Sequence, residues 1–234
     1  MRYDEDFMEK IEKQPKKAVI FDMDGVIFDS ERLVYEGWME LADKYGFEDF
    51  EIPYRRCIGS NAIVSKQIFL DFYGKDFPYD IYKEEQSKKY HERYDHGRLP
   101  LKPGVRELLE YLQGQQYGIA IASSTRTSLV RQQIADAGLL TYFDRITGGD
   151  QVTKSKPEPD IFLAAAQEWE LSKKDIYVIE DSYNGIRAAK AAGMKAIMVP
   201  DLLEANEEMH RLADDILPTL LAVKEQLCME DSVG

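Results

Sequence analysis

The run Phe21-Asp22-Met23-Asp24-Gly25 sets two carboxylates two residues apart, directly behind the apolar stretch Ala18-Val19-Ile20-Phe21. A strand that ends this way concentrates negative charge at one point. Such a pair is often only a turn, because aspartate bonds its own backbone. A calcium loop is excluded, because Val26 and Ile27 stand where that loop needs a ligand and a glycine. Four further residues, at three places in the chain, could join the carboxylates. Ser123 follows Gly118-Ile119-Ala120-Ile121-Ala122, Glu180 and Asp181 follow Ile176-Tyr177-Val178-Ile179, and Lys156 lies in Lys154-Ser155-Lys156-Pro157. Each has a plain structural reading as well: a helix cap for Ser123, a solvated loop residue for Lys156, and acids at a positive helix end for Glu180-Asp181. Together they say more. In open α/β sheets ligands bind at the carboxyl ends of the strands. Two acidic clusters on one such rim repel unless a cation lies between them, and hard oxygen donors suit Mg²⁺.

The elements that must position these residues are legible in the pattern. Ala18–Phe21, Ile119–Ala122, Ile176–Ile179 and Ala196–Val199 read as short buried strands, the last closed by Pro200. Between them Val105, Leu108, Leu109 and Leu112 recur at helical spacing before Gly114. Val130, Ile134 and Ala137 do the same before Gly138, and Ser182 to Ala192 forms a third helix ending at Gly193. Continuous apolar strands separated by amphipathic helices predict an α/β fold with a parallel sheet covered on both faces. The block from 30 to 98 differs. Val34, Trp38, Leu41 and Tyr45 make a helical stripe that Asp29 or Ser30 could cap, and helices are expected at 62–73 and 79–95. The expected organisation is therefore a core over 15–29 and 99–226, a helical insert over 30–98, and an N-terminal extension over 1–14.

Composition narrows the function. A formal net charge of −13 over 234 residues, with no basic stripe, argues against a nucleic-acid partner. No stretch of about 18 apolar residues offers a membrane span, and the N-terminus lacks the apolar core of a signal peptide, so a cytoplasmic protein is expected. Cys57 and Cys228 show neither a pairing pattern nor metal-ligand spacing.

The order of these pieces, "DMDG", a hydrophobic strand ending in serine, "KSKPEPDIF" and "VIEDSYNGIRAAKAAGM", resembles the haloacid dehalogenase superfamily. The helical insert behind the first motif is similar to its α-helical cap type, in the β-phosphoglucomutase-like branch. The resemblance runs from about Lys17 to Leu221 and implies a Rossmann-like core with an inserted cap. It further implies that Asp22 attacks the phosphorus of a phosphomonoester to form an aspartyl-phosphate. Asp24 then protonates the leaving oxygen and later takes a proton from water. Mg²⁺ is expected on the Asp22 carboxylate, the Asp24 carbonyl and Asp181, with Glu180 as a ligand or just behind one. Ser123 and Lys156 would hold the phosphoryl oxygens, with a backbone N–H from Ser124 as an added donor. The partner implied is a small phosphorylated metabolite.

Asp24 favours phosphate chemistry over dehalogenation, which needs no acid for a phosphoester leaving group. Sugar phosphomutases of this branch place a histidine twelve residues beyond the nucleophile, where this chain has Val34. They also place an arginine shortly after a cap-loop glycine, and aligning that glycine to Gly59 puts Ala62 there. The run "DMDGVIFDSERL" looks more like the sugar-phosphate and pseudouridine-monophosphate phosphatases, so hydrolysis is expected over phosphomutase activity. Arg55, Arg56 and Asn61, around Gly59, are the expected substrate contacts, against a plain reading as exposed cap residues. A signalling receiver module uses similar residue types but sets its lysine after all its acids. Here Lys156 precedes Glu180-Asp181, and the chain carries a large helical insert.

Overall fold

The computed structural model describes residues 14–58, 60 and 62–233. The expected extension over 1–14 falls outside them except for Gln14, whose side chain accepts from the Glu170 N–H. Strands β1 (Ala18–Phe21), β2 (Gly118–Ser123), β3 (Arg145–Gly148), β4 (Ile176–Glu180), β5 (Lys195–Met198) and β6 (Asp215–Ile216) form one sheet in the order β3-β2-β1-β4-β5-β6. Every pairing is parallel. The long apolar runs are explained by burial on both sides, because side chains alternate between the faces of a strand. Val19, Phe21, Ile119, Ile121, Tyr177 and Ile179 pack in one core. Ala18, Ile20, Ala120, Ala122, Ile176 and Val178 pack in the other.

Helices α5 (Val105–Gly114), α6 (Thr127–Asp136) and α10 (Leu220–Val233) cover the first face, and α7 (Asp160–Ala165), α8 (Tyr183–Ala191) and α9 (Glu207–Leu212) the second. Four strands are expected from the sequence and six are found among the described residues. The extra two are β3, whose Arg-Ile-Thr-Gly is no continuous apolar run, and the two-residue β6, too short to show a pattern.

Among the described residues, four helices lie between β1 and α5: α1 (Ser30–Tyr45), α2 (Glu51–Cys57), α3 (Ala62–Tyr73) and α4 (Tyr79–Tyr94). They enclose an aromatic cluster of their own, with Trp38, Phe50, Tyr54, Phe69 and Tyr79 all buried. The Trp38 ring stacks on Tyr79 at 5.6 Å between centroids and lies 4.9 Å from Phe69. Aromatic pairs of this kind contribute about 0.5–1.5 kcal/mol each beyond their buried area. The start of α1 differs from expectation. Asp29 occupies the cap position but accepts no cap hydrogen bond from the backbone of the helix; its Oδ2 accepts instead from the Arg32 side chain at 2.7 Å. Ser30 turns its hydroxyl toward Asp24 instead. Among the described residues, no helix is long and apolar enough to cross a membrane.

Candidate active site

Register brings the chemistry together. Phe21 pairs with Ile121 on one side and with Ile179 on the other, so Asp22 comes level with Ala122 and Glu180. The backbone then turns sharply. Ile27 and Phe28 donate to the Met23 carbonyl, and Gly25 donates to the Phe28 carbonyl at 2.9 Å. Gly25 has φ +78°, and a Cβ there would stand 2.4 Å from Asp181 Oδ2, so the position demands glycine on both counts.

Lys156 reaches this rim from the loop before α7. Its Nζ lies 2.5 Å from Asp22 Oδ1 and 2.6 Å from Glu180 Oε1, and all three side chains are buried. Burial alone would lower the lysine's pKa, but the charges and hydrogen bonds of Asp22 and Glu180 outweigh it and hold the ammonium form. Glu180 is engaged through both oxygens. Oε2 accepts from the Asp181 N–H, the Ser182 N–H and the Ser182 hydroxyl at 2.8–2.9 Å. The carboxylate rests on Gly185, where a Cβ would approach it to 1.8 Å.

Asp22 and Asp24 are both tuned upward by their surroundings. Burial pushes the Asp22 carboxyl to about 7, with Lys156 opposing and Glu180 and Asp24 reinforcing the shift. Burial also raises Asp24, against hydrogen bonds from Ser30 Oγ to Oδ1 at 2.7 Å and from Thr125 Oγ1 to Oδ2 at 3.2 Å. Asp181 is raised well above the usual carboxylate range by burial and then by Glu180, Asp22, Glu31 and Asp201. Such crowding of acids calls for a cation. One oxygen each from Asp22, Glu180 and Asp181 lies within 4.8 Å of the others. This all-oxygen donor set fits Mg²⁺ rather than a soft metal.

A cavity of about 380 Å³ lies between this rim and the four helices. Asp22, Asp24, Lys156, Glu180 and Asp181 line its floor, and Ser124 and Thr125 one edge. Ser123 is buried at the end of β2, where its hydroxyl accepts from the Thr125 N–H at 3.1 Å. The expected contacts on α2 fall elsewhere. Arg55 and Arg56 are exposed, and Arg55 Nη1 donates to the Leu202 carbonyl at 3.4 Å. Helical periodicity explains it: Tyr54 and Cys57 turn toward the cavity, which rotates the intervening arginines away. Asn61 lies outside the described residues.

Sequence reasoning passed over the polar groups that α1 and α4 bring to this cavity. Glu31 and Lys83 both line it, half-buried. Desolvation, reinforced by Asp24, Asp22 and Asp201, pushes Glu31 up to about 8, while burial lowers Lys83. The charge of Glu31 within a helical stripe was the available signal. Val34 and Ala62, the two positions that separate mutases from phosphatases by resemblance, also line the cavity and are apolar.

The motif order, the parallel sheet and the buried acidic rim agree with what comparison finds. A family model described as haloacid dehalogenase-like hydrolase matches residues 19–199, and the chain belongs to that family. A phosphorylated carbohydrates phosphatase of Thermotoga maritima is 34% identical over 182 residues, 77% of this chain and 83% of that protein. The β-phosphoglucomutase of Bacillus subtilis is 31% identical over 233 residues, 93% of this chain and 99% of that one. Among solved structures, CbbY from Rhodobacter sphaeroides in complex with phosphate superposes with a TM-score of 0.68 at 27% identity, covering 88% of this chain and 95% of that one. The chain is an enzyme of the phosphoric monoester hydrolase type within this family.

Proposed function

We propose that this enzyme is a Mg²⁺-dependent phosphatase that hydrolyses a small phosphomonoester, a sugar phosphate or nucleoside monophosphate, through an aspartyl-phosphate on Asp22. The observation that carries the reading is the pairing of two differently held carboxylates at one cavity floor. Asp22 is clamped by Lys156 through Oδ1 at 2.5 Å, which leaves Oδ2 to act as nucleophile. Asp24 is held by two hydroxyl donors and raised in pKa, the condition for a general acid.

In the first step an Asp22 oxygen forms a bond to phosphorus as the bond to the leaving oxygen breaks, and Asp24 delivers its proton to that oxygen. In the second, water attacks phosphorus, Asp24 takes the water's proton, and the Asp22–phosphorus bond breaks to release phosphate. Lys156 neutralises charge on the phosphoryl group and on Asp22, while the Ser123 hydroxyl and the Ser124 N–H are donors for the phosphoryl oxygens. Asp22, Asp181 and the Asp24 carbonyl would hold Mg²⁺, and Glu180 would fix Lys156 and the Asp181 turn. When bound, the metal offsets the repulsion between nucleophile and phosphate. The four helices serve as a cap over the leaving group, with Glu31 and Lys83 toward it in place of the expected Arg55 and Arg56.

The resemblance to the Bacillus subtilis phosphoglucomutase across nearly its full length favours a second reading, phosphomutase activity. Apolar Val34 and Ala62 in the cavity wall weigh against it. A phosphate-release screen over phosphorylated metabolites with Mg²⁺ tests the first reading, which expects release that chelation abolishes. Conversion of β-glucose 1-phosphate to glucose 6-phosphate with a bisphosphate activator, and no phosphate release, would establish the second.

A further inference from the structure

Beside the acidic rim, one buried oxygen has no partner. Asp201 follows β5 and Pro200, and its side chain is only 10% exposed. Lys102 holds Oδ1 at 2.6 Å, and the same ammonium lies 3.8 Å from Asp29. Asp201 Oδ2, by contrast, is buried with no hydrogen-bond donor among the described residues. It points at the DxDG turn: a Cβ on Gly25 would stand 3.3 Å from Asp201 Oδ2 and 2.4 Å from Asp181 Oδ2. The two carboxylate oxygens thus face the same small space across a residue with no side chain. A buried acceptor left unpaired costs about 1–3 kcal/mol, more for a charged group, so native folds rarely retain one without a use.

We infer that Asp201 is a positioning residue for the metal site, with Oδ2 accepting a hydrogen bond from a water of the hydrated Mg²⁺ bound at Asp22 and Asp181. The inference rests on the Mg²⁺ site of the proposed function. Three features support it. Mg²⁺ dehydrates reluctantly and keeps several waters, which must themselves be held. Lys102 fixes one Asp201 oxygen and so sets the direction of the other. Asp201 Oδ2 and Asp181 Oδ2 lie 3.3 Å and 2.4 Å from one point beside Gly25, so a group held on the one is within reach of the other. Partners of this kind, one step removed from the metal, typically change affinity 10- to 100-fold when lost.

Titration calorimetry with MgCl₂ on the purified full chain, with no substrate present, tests this. Asp201→Asn is expected to bind Mg²⁺ about 10- to 100-fold more weakly than the parent, with its melting temperature in EDTA unchanged. Equal affinity in parent and variant would overturn the role of Asp201 while leaving the metal site intact. No Mg²⁺ binding by the parent would overturn both the inference and the metal reading beneath it. If Asp201→Asn melts early in EDTA, Asp201→Ser is titrated instead, and the same results decide.

Discussion

Glu180 and Lys156 are joined at 2.6 Å in the floor of the cavity, each nearly sealed from solvent. The pair explains how a lysine can sit beside Asp22 without neutralising it outright. Lys156 divides its charge between Asp22 and Glu180, while Glu180 is itself anchored by three donors of the turn after β4.

Removing the cation from this arrangement strands two buried acids. Lys156→Met is expected to cost about 3–5 kcal/mol of stability in metal-free protein. It should also lower kcat by at least about 100-fold. Urea unfolding in EDTA and steady-state kinetics with Mg²⁺ check the two effects separately.

The seat of Glu180 on Gly185 is equally specific. Gly185→Ala would set a methyl 1.8 Å from the Glu180 carboxyl, and backbone or carboxylate must yield. Helix propensity alone would favour alanine by about 1 kcal/mol, so a lower melting temperature in Gly185→Ala would show that the contact dominates.

Asp24 is assigned the proton rather than the bond. Asp24→Asn should slow substrates with alkoxide leaving groups by about 100- to 10,000-fold, the usual range for general acid catalysis. Aryl phosphates, whose phenolates leave without a proton, should suffer much less in the first step. Single-turnover rates for a sugar phosphate and p-nitrophenyl phosphate measure the difference, and an equal loss on both would refute the assignment.

Glu31 supplies a pH signature. Its carboxyl is raised from 4.5 to about 8 by burial first, then by Asp24, Asp22 and Asp201. The folded state therefore binds a proton that the unfolded chain has released. That contribution is fully present below the unfolded pKa and is lost as pH rises through about 8. In EDTA, Glu31→Gln should melt above the parent on the alkaline side of this window and show no such gain on the acid side. Melting curves across that range check the sign.

How much of this was readable follows from where the signals lie. Asp22, Asp24, Lys156 and Asp181 sit at strand ends and in short local motifs, so their types and order mark the rim in the sequence itself. The buried strands were legible because apolar runs of four to six residues stand out, whereas β3 and two-residue β6 are held mainly by their neighbours. The helical insert was visible as helices but not as a surface. Which side of α2 faces the cavity depends on how four helices pack, so the sequence alone does not decide between substrate contact and exposed surface for Arg55 and Arg56, nor show that Glu31 and Lys83 line the cavity. Asp201 was invisible for a different reason: its meaning lies in an oxygen without a partner, which no linear pattern encodes.

The central claim is a covalent bond from phosphorus to Asp22. Rapid-quench mass spectrometry of the peptide containing Asp22, during a single turnover with a substrate found by the phosphate screen, tests it most directly. The account predicts a transient gain of one phosphoryl group on Asp22 that discharges as phosphate appears, and neither event in Asp22→Asn. Phosphate release at the parent rate by Asp22→Asn, with no phosphoryl group on the peptide at any time, would contradict it.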